Sequence, residues 1–288
     1  MVAIVKKIGR KKVPDSSVFI SQIDDHEWSF EYPRIPLEVY EEFDGAIDIW
    51  HSGNLREAEK IFKELIKKYP EFIDVYHHYA LLLKESGMPY KAFEVWQDIT
   101  QFCLSLLPDN FYFGRDLLTW LSIDNRPFLR AYHALGLEYE GIAETEKSLN
   151  IYNNILDMNP NDNQGIRALA MRCYFQLKRP GNVLQIIEKF PDDGMAETIY
   201  GEVLVLYQLD HTIKAEKKLK EAYAFLPLVA EEIAKKQHRR PKNTYPGSYS
   251  FGGADQAYYY WLEQGKYWKS TSGAIDFVKS IVHAGKDE

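Results

Sequence analysis

An all-α fold, a right-handed α-solenoid of about five helical hairpins with a C-terminal helical cap, is predicted by two features of the sequence. One is a two-helix pattern that recurs at a spacing of roughly 34 residues. The other is an apolar stripe on every hairpin that the hairpin cannot cover alone, so that neighbours must stack to bury it. The totals allow such a core: 288 residues with 45% hydrophobic and 14% aromatic content can bury a substantial interior. The formal charge of −7 argues against a surface made wholly for nucleic acid or anionic lipid.

The hairpins follow in order. In "EFDGAIDIWHSGNLREAEKIFKELIKKYP" two helical periodicities are joined by "HSGN", where Gly53 and Asn54 end one helix and lead into the next. The spacing of Ala58, Phe62 and Pro70 resembles the tetratricopeptide repeat pattern. A second hairpin carries Tyr76, Tyr79, Ala80 and Leu83, the turn "ESGMP", then Ala92 and Trp96, with Pro108 arriving late. A third is the best match, with Tyr132, Leu135, Gly136, Tyr139, Ser148, Tyr152 and Pro160. The fourth, residues 163–190, is shortened at "KRPGN", and the fifth, residues 196–227, carries Leu206, Ala215, Leu219 and Ala222. The expected organisation is therefore a basic, extended N-terminal arm with a short strand or turn (1–36), a solenoid (37–227) and a C-terminal part (228–288). Inside the solenoid, the irregular linker 104–126 is expected to hold one extra helix. The C-terminal part has a helix over 228–237, a basic loop, and two short helices, "ADQAYYYWLEQGKYW" and "SGAIDFVKSIVHAG", apolar enough to cap the open end.

Three phrases, "NRPFLRAYHALGLEY", "LDMNPNDNQGIR" and "GADQAYYYWLEQGKYWKSTSGAIDFV", resemble the bacterial and archaeal tetratricopeptide relatives of the family called suppressor of tumorigenicity seven. The resemblance runs from about "WSFEYPRIP" onward and implies the repeat fold and a scaffold role. The membrane segments of the eukaryotic members are absent here, as is the cysteine-rich zinc motif appended to some bacterial repeat proteins.

No phosphate loop, dinucleotide fingerprint, zincin motif or nucleophile elbow is present. Cys103 and Cys173 stand far apart without a CxxC partner, which predicts neither a disulfide framework nor a zinc site and fits a reducing cytoplasm. The N-terminus lacks the apolar run of a secretory signal, and no stretch approaches the roughly 18 apolar residues of a membrane span. His77 and His78 are about 100° apart on a helix and poorly placed to share a metal, while Asp74 and His78 read as a surface pair one turn apart. No catalytic residue, metal or cofactor is expected; the protein reads as a non-enzymatic adaptor for a partner protein or peptide.

The stretch "NPNDNQGIR" marks a joint. Pro160 ends one helix, Asn163 is placed to cap the next, and Gly165 to let the preceding repeat approach closely. Gln164 and Arg167 project together, and aligning the repeats puts Arg167 where His77 and His133 stand. A concave groove is then lined by His77, His133 and Arg167, next by Leu81, Leu137, Met171 and Leu204, then by Lys84, Glu140, Tyr174 and Tyr207, with Arg130 and Gln164 beside them. Such a groove, basic or neutral in one row and apolar in the next, suits a peptide with apolar anchors and a few acidic groups. For the tyrosines, packing between helices is an equal reading. A second class of partner is nucleic acid at "KKQHRRPKNTYPGSYSF", where Lys235, Lys236, Arg239, Arg240 and Lys242 precede Tyr245, Tyr249 and Phe251. Against this, cations after a helix C-terminus complement its dipole. A regulatory subunit of a separately encoded enzyme would need no more than the same shaped surface.

Overall fold

The computed structural model describes residues 18–242, 244 and 248–284, which fall into two compact units, Met1–Ile166 and Arg167–Glu288. The basic start of the N-terminal arm and Tyr245 lie outside the described residues.

The first unit begins with an antiparallel hairpin, β1 (Phe19–Asp24) and β2 (Glu27–Glu31), which turns through His26 in the left-handed region, φ +58°. Three helical hairpins follow: α1 (Leu37–His51) with α2 (Leu55–Lys68), α3 (Ile73–Glu85) with α4 (Pro89–Ser105), and α5 (Arg126–Gly141) with α6 (Thr145–Met158). Local sequence explains where they start. The Asn54 side chain accepts from Glu57 N at the head of α2, and Pro89 sits in the first turn of α4, where its missing N–H would have had no partner. Within the unit α1 packs on α3 and α3 on α5, so the first helix of each hairpin joins a common layer. Phe43, Phe62, Leu65, Phe72 and Leu82 form one buried cluster under it.

The linker after α4 differs from expectation. Instead of an extra helix it holds a single 3₁₀ turn, Ile123–Asn125. Its backbone is spent on the β-hairpin: Trp28 N donates to Leu117 O (2.9 Å) and Leu117 N to His26 O (2.7 Å). Buried Asn125 completes the junction, its side chain accepting from Phe30 N and donating to Trp28 O and Thr119 O, each at 3.1 Å. Those donors and acceptors would otherwise be orphaned.

The second unit has α7 (Ile166–Gln176), α8 (Pro180–Lys189), α9 (Ala196–Gln208), α10 (Thr212–Phe225), α11 (Pro227–Ala234), α12 (Ala254–Ser270) and α13 (Ala274–Ala284). The helix expected over 228–237 thus ends at Ala234. At the joint the capping group is Asp162, not Asn163: Ile166 N donates to Asp162 Oδ1 at 2.6 Å. Gly165 serves conformation, with φ +71°, and not close approach, since a Cβ added there meets nothing within 4 Å.

Candidate partner-binding face

Every hairpin turn contains one residue in the left-handed region: Gly53, Gly87, Ala143, Lys178 and Asp210. These five fix a common register. Seven residues before them stand Ala46, Ala80, Gly136, Met171 and Val203, and five residues after them Ala58, Ala92, Ser148, Val183 and Ala215, all of them buried. At Gly136 the reason for a small residue is direct, because an added Cβ would lie 2.5 Å from Tyr152 Cε1.

This register corrects the fourth hairpin by one residue. Ten, six and three residues before the turn come His77, Leu81 and Lys84 in α3, and His133, Leu137 and Glu140 in α5. In α7 the same places hold Ala168, Arg172 and Phe175, so Arg167, Met171 and Tyr174 are each turned about 100° from those rows. Met171 is accordingly buried, at 2% exposure. Arg167 pins the start of α9: its Nε donates to Asp193 Oδ2 at 2.6 Å, and its guanidinium lies 5.2 Å from the Phe190 ring centroid. Burial pushes the Asp193 carboxyl up, but hydrogen bonds from Arg167, Thr198 and Met195 N outweigh it and hold it below the usual range. Arg167→Ala is therefore expected to cost about 1.5–3 kcal/mol of stability in urea unfolding without altering partner capture. The Asp193 contribution is complete above its unfolded pKa and lost as pH falls through its depressed folded one.

In the second unit the rows are taken by the C-terminal helices. Tyr267 Oη on α12 donates to Arg172 O (3.0 Å), and the Tyr267 ring stacks on Phe175 with centroids 5.3 Å apart. Tyr260 packs on Tyr200, and on α13 Phe277 stacks on Tyr207 at 4.9 Å. Leu204, 1% exposed, is core. The aromatic segment read as an end cap thus covers the faces of α7 and α9.

In the first unit the face of α3 and α5 is polar and incompletely matched. Thirteen residues before the turns stand Asp74 and Arg130, and Arg130 Nη2 donates to Asp74 Oδ2 at 2.8 Å across the two helices. Trp96 Nε1–H donates to His77 Nδ1 (3.2 Å), which places the His77 proton on Nε2. His78 Nδ1 lies 2.9 Å from Asp74 O. Gln164 Nε2 donates to Leu129 O at 3.2 Å. Among the described residues, four buried atoms of this group have no hydrogen-bond partner: Asp74 Oδ1, Arg130 Nε, His133 Nε2 and Gln164 Oε1.

The electrostatics make the face neutral. Burial, then the nearby His78, Arg130 and His133, push His77 down to about 3, and burial also lowers His133 against the pull of Asp162. Burial raises the Asp74 carboxyl despite Arg130 and His78. The row that the sequence left as basic or neutral is therefore uncharged imidazole. Beside it Leu81 is half-buried and Leu137 is 40% exposed, while Lys84 pairs with Glu138 and Glu140 accepts from Tyr152 Oη (3.1 Å). Asp74 is the residue sequence reasoning underrated; the available signal was that it and Arg130, opposite in charge, occupy one repeat position.

The basic segment is partly engaged in cis. Lys235 and His238 both bind buried Glu232 (2.5 and 2.9 Å), and His238 stacks on Trp261 at 4.0 Å. Arg239 donates to Gln237 (3.3 Å) and Arg240 to Thr244 (2.7 Å), while Lys236, Lys242, Tyr249 and Phe251 are exposed.

No family model matches the sequence, and no curated protein matches it. Among solved structures the chain is similar to a tetratricopeptide repeat protein from Parabacteroides merdae, with TM-score 0.51 and 13% identity over 88% of each chain. It is also similar to YrrB, described as a tetratricopeptide protein with an unusual peptide-binding site, at TM-score 0.46 and 14% identity over 65% of this chain and 85% of that one. A third is the C-terminal part of a repeat protein from Cytophaga hutchinsonii, at TM-score 0.46 and 13% identity over 79% of each. The first likeness shows the fold, a mostly helical tetratricopeptide solenoid. No helix of the described residues is long and apolar enough to cross a membrane.

Proposed function

We propose that the protein is a non-enzymatic, cytoplasmic scaffold that binds an extended segment of a partner protein on the α3–α5 face. The observation that carries this reading is the group of four buried polar atoms without protein partners, next to exposed Leu137. Buried polar groups are nearly always hydrogen-bonded, and leaving one unmatched costs about 1–3 kcal/mol; a bound segment that matched these four would recover that cost. The neutral face favours a segment with uncharged polar and aliphatic side chains, in place of the acidic groups suggested by the sequence. The two buried thiols accord with the reducing compartment. The finer kinship, to relatives of the suppressor of tumorigenicity seven family, belongs to the same proposal and rests on the three phrases quoted above.

The test is affinity capture from host lysate, with nuclease treatment, comparing wild type with a His133→Glu, Leu137→Glu variant of unchanged helical circular dichroism. A protein retained by wild type and lost by the variant is the expected result. Equal retention by both would remove the α3–α5 face as the site. Loss of all retained material on nuclease treatment would point instead to the basic segment.

A further inference from the structure

We propose that the Asp74–Arg130 pair forms a notch that reads a side-chain carboxamide, glutamine or asparagine, in the bound segment; this rests on the α3–α5 reading above. The pair is half-made. Arg130 Nη2 holds Asp74 Oδ2 at 2.8 Å, yet Arg130 Nε–H and Asp74 Oδ1, the other donor and acceptor of the same two groups, are without partners among the described residues. His78 does not satisfy Oδ1: its Nδ1 is 3.8 Å from it and sits instead 2.9 Å from the Asp74 carbonyl oxygen.

A primary carboxamide presents C=O and N–H side by side and can accept from Nε–H while donating to Oδ1. A carboxylate has no proton for Asp74 Oδ1, and Arg130 is already neutralised. An ammonium has no acceptor for Arg130 Nε–H. A single trans peptide group has its N–H and C=O pointing opposite ways and cannot serve both atoms of the notch; one extended residue's N–H and C=O do share an edge, a contact common to all four probe peptides below. Both notch atoms are buried while the Arg130 side chain is 37% exposed, so a carboxamide reaches them only when the arginine side chain gives way.

The probe is one fluorescein-labelled peptide N-methylamide, Ser-Ala-Leu-Xaa-Leu-Ala-Ser, with glutamine, glutamate, lysine or methionine as Xaa, titrated by anisotropy. Wild type is expected to prefer glutamine by about tenfold over the other three, the worth of one well-matched buried hydrogen-bond pair. In Asp74→Asn the arginine loses its counter-charge, and preference should turn to glutamate. In Arg130→Met the aspartate loses its own, and preference should turn to lysine. Either variant suffices should the other fail to fold. Equal binding of all four peptides, binding of none, or preferences unmoved in the folded variants would overturn the notch. Those outcomes leave the face itself to the capture experiment, which does not depend on the residue read.

Discussion

Trp268→Ala is expected to lower the unfolding free energy by about 3–5 kcal/mol, the range for truncating a large buried aromatic. Trp268 is fully buried in α12, and its indole N–H donates to Tyr260 Oη at 2.8 Å. Tyr260 is itself buried against Tyr200 of α9, so the substitution leaves a cavity and a buried hydroxyl without its donor. Trp268→Phe keeps most of the volume and should cost about 1–3 kcal/mol. Urea unfolding followed by circular dichroism measures both. An unchanged midpoint for Trp268→Ala would mean that α12 is not part of the core, and that the first-helix faces of α7 and α9 are open to ligands.

The second large effect is on pH dependence. His77 protonates near 6.5 in an unfolded chain but is pushed down to about 3 when folded, chiefly by burial. Between those values the unfolded state binds more protons. The contribution of His77 is thus complete above about pH 6.5 and lost as pH falls toward 3, at up to about 1.4 kcal/mol per pH unit. Between pH 7 and pH 4.5 the loss should reach about 2–3 kcal/mol. Half-buried Asp74 and Glu197, whose carboxyls are raised, act in the opposite sense, so the informative comparison is with His77→Gln. Glutamine can accept the Trp96 N–H and does not titrate, and its stability should fall less steeply over this range. Parallel curves would show that His77 is not held neutral by its site.

The repeat architecture was legible because small residues recur where helices cross: Ala46 with Ala58, Ala80 with Ala92, and Gly136 with Ser148. Gly53 and Gly87 advertise their turns. Lys178 adopts the same left-handed conformation in the shortened turn "KRPGN", and the register counted from it differs by one residue from the one that puts Arg167, Met171 and Tyr174 in the rows. The β-hairpin was visible only as a possible strand or turn, because its second partner is the linker at Leu117, about ninety residues away. That pairing also consumed the linker residues from which a helix was expected. Repeat position alone puts His77 with His133 in one row and Leu81 with Leu137 in the next, the rows that the turn register also gives; it says nothing of Arg130 or Gln164 as a site. That the two imidazoles are held neutral is not legible there, since it comes chiefly from burial. Nor does spacing reveal that α12 and α13 lie over the second unit's rows, because periodicity specifies an apolar face and not what covers it.

The most direct test of the binding assignment is photo-cross-linking with p-benzoylphenylalanine placed separately at position 137, on the α3–α5 face, and at position 207, under Phe277 of α13. Each protein is irradiated with the partner retained in the capture experiment. The account predicts a cross-linked product from position 137 and none from position 207. A product from position 207 with none from 137 would contradict it, placing the partner on the surface that α12 and α13 are here assigned to cover.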